Sequence, residues 1–165
     1  MAEFTHFKKD GSAVMVDVHE KPDTYRVASA TGTIRVSPEV FAAVRDHTAK
    51  KGDVLGVARL AGIMGAKKNA ELIPLCHIVP LTNCEVTFIM EEETHAITAV
   101  CTTSCVGKTG VEMEALTGVS TALLTIYDMC KAMDRGMEIS DIHILEKDGG
   151  KSGHYIYEKE ERQEP

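Results

Sequence analysis

The chain has 165 residues, 44% of them hydrophobic and 26% charged, which is typical of one soluble, folded domain. Its 18 lysine and arginine residues are outnumbered by 25 aspartate and glutamate residues, and this formal net charge of −7 argues against a general nucleic-acid-binding protein. No run approaches the roughly 20 apolar residues of a membrane helix, and the N-terminal residues do not have the pattern of a secretory signal. The five cysteines are an odd number, which argues against a disulfide framework. We therefore expect a cytoplasmic protein.

The first half of the chain predicts an arm, a strand and two helices. Residues 1–24 are mostly polar, and we expect them to form a mobile N-terminal arm. Apolar and more polar residues alternate from 25 to 36, as in a half-buried strand. The Ser-Pro-Glu sequence at 37–39 is typical of a helix start. A second helix is predicted over 53–68, with apolar residues on most of its faces, which indicates burial or a subunit interface.

The second half predicts a hairpin, a long helix and two short strands. Residues 84–103 alternate on both sides of an acidic turn, which is typical of a β-hairpin. The long helix is predicted over 110–133, and its expected buried stripe consists of Leu116, Val119, Leu123, Ile126, Cys130 and Met133. Short strands are predicted at 141–147 and 154–159. This order predicts one α+β domain over 25–158, an antiparallel sheet with helices packed on one face, followed by a polar tail at 159–165.

A row of polar residues follows one side of the long predicted helix. At about 100° per residue, five of them form a narrow stripe: Glu114, Thr117, Thr121, Thr125 and Asp128. Lys131 lies one turn beyond Asp128. The stripe is consistent with a solvated face, and equally with a polar pocket wall that brings an acid beside an ammonium group. Glu112 can share a site with Glu114 only if the helix begins there, because residues two apart lie on different faces.

Two further features bear on ligand binding. Residues 150–152, Gly-Lys-Ser, match the end of a phosphate-binding loop, but Leu145 stands where that motif needs its first glycine and a strand follows instead of a helix. A plain turn is therefore favoured, although its lysines could still meet an anion. His77 lies in an irregular segment between Pro74 and Pro80, whose free amides suit a ligand, although a lone histidine is most often structural. No Cys-x-x-Cys pair supports a zinc site.

Three long segments resemble one known family. These segments are KKGDVLGVARLAGIMGAKKNAELIPLCH, GKTGVEMEALTGVSTALLTIYDMCKAMD and ILEKDGGKSG, and they resemble the molybdenum-cofactor biosynthesis protein C family. The resemblance covers nearly the whole chain. It implies a ferredoxin-like α+β fold and a homohexamer, a trimer of dimers with active sites at subunit interfaces. The implied reaction converts 3′,8-cyclo-7,8-dihydro-GTP, supplied by an upstream radical enzyme, to cyclic pyranopterin monophosphate with release of pyrophosphate.

The same resemblance implies which residues form the site. The catalytic set is Asp128, Lys131 and Lys51, and the substrate-binding set is Leu75, Cys76, His77, Glu112, Met113, Glu114, Lys147 and Asp17. Rearranging a purine into a pterin needs several proton transfers, which a neighbouring acid and ammonium group can share. Lysines and a histidine supply positive charge for the triphosphate. No metal ligands are implied and no redox cofactor is required, although Mg²⁺ could accompany the pyrophosphate.

The chain departs from the family pattern at three positions. Ile78 stands where proline is expected, Asn83 where histidine is common, and Gly118 where alanine is usual. The glycine lowers helix propensity by up to about 1 kcal/mol. None of the three is assigned to the chemistry.

Two alternative functions remain. The first is a non-catalytic nucleotide-binding or assembly module of the same fold, which would bind GTP derivatives without consuming them. The second is a GTP-hydrolysing protein with a phosphate-binding loop.

Overall fold

The computed structural model describes residues 10–158, so the start of the predicted arm and the predicted tail at 159–165 lie outside it. This part of the chain forms five strands and four helices around one core. In chain order they are β1 (Thr24–Arg35), α1 (Pro38–Arg45), α2 (Val54–Lys67), α3 (Asn69–Leu72), β2 (Leu81–Glu91), β3 (Ala96–Gly107), α4 (Glu112–Cys130), β4 (Glu138–Asp148) and β5 (Tyr155–Ile156).

The strands form one antiparallel sheet in the order β2-β3-β1-β4-β5. β1 pairs with β3 along its whole length, from Thr24 opposite Gly107 to Arg35 opposite Ala96. The predicted α+β class and antiparallel sheet are therefore confirmed. The predicted strand at 154–159 was too long, because among its described residues, 154–158, only Tyr155 and Ile156 pair with β4.

The helices pack over the sheet, with α4 against β1, β3 and β4, and α2 against α4 and β2. The predicted stripe of α4 supplies much of the core, since Val119, Leu123 and Ile126 are fully buried. Met133 is an exception: it lies beyond the end of α4 and is 51% exposed. Among residues 10–158, no helix is both long and apolar enough to cross a membrane.

Two helix starts have side-chain caps: the one at Ser37 was predicted, and the one at Asp53 is seen in the structure. The hydroxyl of Ser37 accepts a hydrogen bond from the Val40 amide at 3.3 Å, and the Asp53 carboxylate accepts one from the Gly56 amide at 2.9 Å. These caps satisfy amides that a helix leaves without internal partners. The cap of Asp53 sets the start of α2, the helix that follows the predicted catalytic residue Lys51.

Small residues bring α2 and α4 close together. A Cβ atom placed on Gly62 of α2 would lie 2.9 Å from the carbonyl oxygen of Gly118 on α4. Thr121 and Thr125 of α4 donate their hydroxyl hydrogen bonds to carbonyl oxygens one turn earlier in the same helix. The middle of the predicted polar stripe is thus part of the packing between the two helices, neither a fully solvated face nor an open pocket wall.

Candidate active site

A cavity of about 320 Å³ lies at the N-terminal end of α4. Its walls come from the N-terminal arm, the loop before β2, the loop after β3 and the first turn of α4. The lining residues are Val16, Val18, Lys21, Leu75, Cys76, His77, Val79, Thr109, Gly110, Glu112, Met113 and Glu114. The structure therefore brings together six of the eight predicted substrate-binding residues, those at 75–77 and 112–114. We call this space the N-end cavity.

The start of α4 explains how Glu112 and Glu114 reach the same cavity. The helix begins at Glu112, and Val111 in front of it provides no side-chain cap. Thr103 of β3 holds this start in place, because its hydroxyl donates to the Val111 carbonyl at 3.0 Å. Because α4 begins at the cavity, both glutamates of its first turn can reach the cavity. The sequence predicted that Glu112 and Glu114 could share a site only with such a helix start.

Glu114 is a buried acid with a defined partner. Glu114 is 5% exposed, and its carboxylate accepts a hydrogen bond from the Asn69 side-chain amide at 3.0 Å. The Asn69 carbonyl accepts in turn from the Thr117 hydroxyl at 2.7 Å. Burial raises the pKa of Glu114, while the hydrogen bonds to its backbone and to Asn69 act in the opposite direction. Asn69 was missed from the sequence, where no spacing distinguishes it from a surface residue.

The N-terminal arm lies against the His77 loop. The ring nitrogen Nε2 of His77 is 2.7 Å from the carbonyl oxygen of Val16. Because a carbonyl can only accept, this nitrogen carries the hydrogen, and the Nδ1 of a neutral ring is left as an acceptor. Asp17 is exposed, is not among the residues lining the cavity, and accepts a hydrogen bond from the His19 amide at 2.8 Å. The predicted mobility of the arm remains a prediction.

The three predicted catalytic residues meet at the other end of α4. The Lys131 ammonium donates to one carboxylate oxygen of Asp128 at 2.5 Å, and the Lys51 ammonium lies 3.4 Å from the other. Lys51 also donates to the backbone carbonyl of Asp128 at 2.9 Å. The hydrogen bond from Lys131 lowers the pKa of Asp128, and the charges of Lys131 and Lys51 add to this effect. All three side chains are about half exposed. We call them the C-end cluster.

The two groups lie far apart within one chain. Glu112 and Asp128 are separated by 16 positions of one helix, or roughly 24 Å at 1.5 Å per residue. Lys147 belongs to neither group: it lies on β4, donates to the Ser152 hydroxyl and does not line the N-end cavity. Within residues 10–158, no three His, Cys, Asp or Glu side chains converge in a way that could hold a metal ion.

The sequence matches the MoaC family over residues 15–150. The chain belongs to this family. A protein of Clostridium botulinum (strain Alaska E43 / Type E3), named cyclic pyranopterin monophosphate synthase, is 56% identical over 156 residues. That alignment covers 94% of this chain and 98% of the relative. The resemblance inferred from the three sequence segments is thus confirmed, and the MoaC family assignment spans both the N-end cavity and the C-end cluster.

Proposed function

We propose that this chain is a cyclic pyranopterin monophosphate synthase, which converts 3′,8-cyclo-7,8-dihydro-GTP to the cyclic pyranopterin with release of pyrophosphate. The observation that carries the proposal is the 56% identity, over nearly the full length of both chains, to a protein of that name. Two features of the structure support it: a polar cavity of about 320 Å³ and a carboxylate held between two ammonium groups.

The C-end cluster is suited to proton transfer. Asp128 stays ionised because two lysines stabilise its charge, so it serves as the proton acceptor and as the anchor of both ammonium groups. Lys131 and Lys51 are the proton donors of the C-end cluster. Opening a purine ring and closing a pterin ring requires protons to leave one atom and reach another, and this arrangement holds both kinds of group within hydrogen-bonding distance.

The N-end cavity is suited to substrate binding. Glu112 and Glu114 offer carboxylates to the N–H edge of a guanine-derived ring, and Glu114 is fixed by Asn69. His77 is oriented by its hydrogen bond to the arm, which leaves its other ring nitrogen for the ligand. Leu75, Cys76 and Met113 complete the wall with less polar surface. We propose that Asp17 joins this site through a movement of the arm, and that Lys147, whose backbone is paired within the sheet, joins it when its side chain leaves Ser152.

We further propose that the complete site forms between two copies of the chain. The C-end cluster of one copy would meet the N-end cavity of another, because a single copy keeps them roughly 24 Å apart. Large apolar side chains exposed on α2 and α4 supply a surface for this contact: Val57 is 46% exposed, Leu60 63% and Leu124 60%. The proposed assembly is a homohexamer, a trimer of dimers, with ferredoxin-like subunits.

The proposed reaction changes no oxidation state, so it requires no redox cofactor. Mg²⁺ would act as a counter-ion of the released pyrophosphate rather than as a fixed part of the site. The substrate would come from a radical enzyme that cyclises GTP immediately upstream. We propose a cytoplasmic location, where GTP and reduced cysteines are both found.

The test is to incubate the purified full chain with the cyclised GTP intermediate and follow both products. We expect cyclic pyranopterin monophosphate and pyrophosphate in equal amounts, with and without a chelator of divalent cations. Binding of the intermediate without turnover would instead support the non-catalytic module. Conversion of GTP itself to GDP and phosphate would support the phosphate-loop interpretation, and either result would overturn the proposal.

A further inference from the structure

Cys84 of β2 and Cys101 of β3 form a pair of free thiols. Their sulfur atoms lie 3.9 Å apart, a distance at which one thiol donates a hydrogen bond to the other. Cys84 lies opposite Thr103 and Cys101 opposite Val86, so the two cysteines are diagonal neighbours on one face of the sheet. Neither cysteine belongs to the predicted catalytic or substrate-binding set. We call them the thiol pair.

The two members of the thiol pair differ in their access to solvent. Cys101 is fully buried, whereas Cys84 is partly exposed and lines a cavity of about 470 Å³. This cavity lies between the second half of α2 and the segment that leads into β2, and Ile63 and Val79 belong to its apolar wall. We call it the thiol cavity. A reagent that enters it from solvent reaches the sulfur of Cys84 and not the sulfur of Cys101.

The thiol cavity carries a positive charge, which comes from Lys67. Within residues 10–158, this lysine forms no ion pair with a carboxylate, and no acidic side chain of that part of the chain lines the cavity. The hydrogen bond from Cys101 lowers the pKa of Cys84, burial acts in the opposite direction, and the charge of Lys67 lowers it further. The same hydrogen bond, together with burial, raises the pKa of Cys101. Cys84 is therefore the nucleophile of the pair, and Cys101 is its hydrogen-bond donor.

The position of the donor sulfur depends on Gly118 of α4. A Cβ atom on Gly118 would lie 2.6 Å from the Cys101 sulfur, so a larger residue would push this sulfur aside. Gly118 is one of the three departures from the family pattern, and it leaves the sulfur where it contacts Cys84. The buried thiol is thus held between α4 and β2, in place to stabilise a thiolate on Cys84.

We propose that Cys84 is a modification site, at which the thiol exchanges with a small, negatively charged disulfide that enters the thiol cavity and leaves one of its halves bound. Three observations favour this class of reagent. The sulfur of Cys84 is accessible, about 470 Å³ is a volume that suits a small ligand, and Lys67 attracts a carboxylate. The inference does not rest on the proposed function.

The exchange needs no oxidant other than the small disulfide itself. Cys84 gives its proton to solvent, and its thiolate attacks one sulfur of the reagent. A new sulfur–sulfur bond forms as the original one breaks, and the electron pair of the broken bond leaves with the other half of the reagent, which takes a proton from solvent. A second small thiol reverses the reaction by the same path. Diagonal neighbours have Cα atoms about 7–8 Å apart, too far for an undistorted disulfide, so Cys101 remains a thiol.

Mass spectrometry of the digested full chain after exposure to oxidised glutathione tests the inference. We expect the adduct on Cys84 before Cys76, which is also partly exposed. Lys67→Gln should slow this reaction roughly fivefold, the effect of losing one charge contact at the surface, but should not slow the reaction with positively charged cystamine. Lys68→Gln is the matched control, because Lys68 does not line the thiol cavity, and it should react as wild type. Earlier modification of Cys76, or loss of two thiols without added mass, would overturn the inference.

The pH dependence of the initial rate tests the role of Cys101. Its midpoint reports the pKa of Cys84, on which Cys101 and Lys67 act. Cys101→Ala should move the midpoint to higher pH, because the hydrogen bond to the thiolate is lost. Cys101→Ser keeps a donor and should move the midpoint less. An unchanged midpoint in Cys101→Ala would overturn the donor role. None of these measurements uses turnover, so they stand or fall independently of the proposed function.

Discussion

Glu112 and Asp128 stand at opposite ends of α4, separated by roughly 24 Å of helix. Glu112 lines the N-end cavity, and Asp128 is held between Lys131 and Lys51 in the C-end cluster. A rigid helix cannot bring its own two ends together. If both groups act on one substrate molecule, the second group must come from another copy of the chain.

Mixed oligomers of two inactive variants should therefore regain activity. His77→Ala removes a residue of the N-end cavity, and Asp128→Asn removes the carboxylate of the C-end cluster. With random mixing in co-expressed, differently tagged chains, about a quarter of the shared sites would receive both intact halves. The measurement is turnover of the purified mixed oligomer. The control mixture pairs His77→Ala with Glu112→Gln. Both changes damage the N-end cavity, so this mixture should stay inactive. If both mixtures are equally inactive, the active site is not shared between two copies of the chain.

Assembly should depend on the apolar residues exposed on α2. Leu60 is 63% exposed in one copy, and burying a leucine side chain contributes about 1.5–3 kcal/mol. Leu60→Glu should reduce the mass measured by light scattering and reduce turnover, because a carboxylate is poorly tolerated in an apolar contact, while the circular dichroism stays that of a folded chain. Leu60→Met keeps the apolar volume and should assemble normally. An unchanged mass for Leu60→Glu would place the interface elsewhere.

The pKa of Asp128 should rise when Lys131 is removed. Lys131 is the main cause of the low pKa of this carboxyl group, and Lys51 continues to act in its absence. In the wild type, the ionised carboxylate of Asp128 stabilises the folded state at pH values above the ordinary aspartate pKa. This contribution is lost as the pH falls through the lower pKa that Asp128 has in the folded state. Carbon-detected NMR titration of the carboxyl should show an upward shift in Lys131→Ala, but none in the control Lys68→Ala. The same variant should lose roughly 100-fold or more in kcat, as expected when a general acid is removed.

Glu114 should make stability fall as pH rises. Burial raises the pKa of Glu114 in the folded chain, so the unfolded chain loses its proton first. Between the ordinary glutamate pKa and the higher folded value, the folded state holds more protons, and the free energy of unfolding therefore decreases with increasing pH. Glu114→Gln removes this dependence. Urea unfolding from about pH 4 to about pH 8 should show the stability of the variant increasing relative to wild type. Glu112→Gln controls for loss of an acid at the same helix start; a pH-independent difference for Glu114→Gln would contradict the prediction.

Local patterns predicted the elements of this fold well. The cap residue Ser37 and the alternation along β1 each depend on neighbours close in sequence, and the structure confirms both. The sequence also predicted the length of α4, and a rise of about 1.5 Å per residue places Glu114 and Asp128 roughly 21 Å apart. The structure shows that the stripe does not line a single pocket, because Glu114 lines the N-end cavity and Asp128 belongs to the C-end cluster.

A cavity of about 400 Å³ beside the N-end cavity is lined by Lys21, Arg26, Lys108 and Lys151, and local patterns could not predict that these cations meet. Arg26 appears in the sequence as an ordinary strand residue, and Lys21 and Lys108 lie 87 positions apart. They meet because β1 and β3 pair with Thr24 opposite Gly107, a register set by the whole sheet. Asn69 was missed for the same reason, because its partners Glu114 and Thr117 belong to a different helix.

Gly118, one of the departures from the family pattern, fits its neighbour Cys101. A Cβ atom on Gly118 would lie 2.6 Å from the Cys101 sulfur and 3.3 Å from the Gly62 carbonyl oxygen. Overpacking of this kind costs about 1–3 kcal/mol, more than the gain in helix propensity of up to about 1 kcal/mol. Gly118→Ala should therefore lower the free energy of unfolding in urea.

Cys101→Ala removes the obstructing sulfur and decides whether this contact is the cause. In the Cys101→Ala background, Gly118→Ala should be neutral or stabilising, because the added methyl group fills space that the sulfur leaves and the helix propensity is gained without strain. The double-mutant cycle of the two positions measures this coupling directly, since the residues are in contact. Additive effects would mean that the approach to Gly62, and therefore the spacing of α2 and α4, limits the size of residue 118.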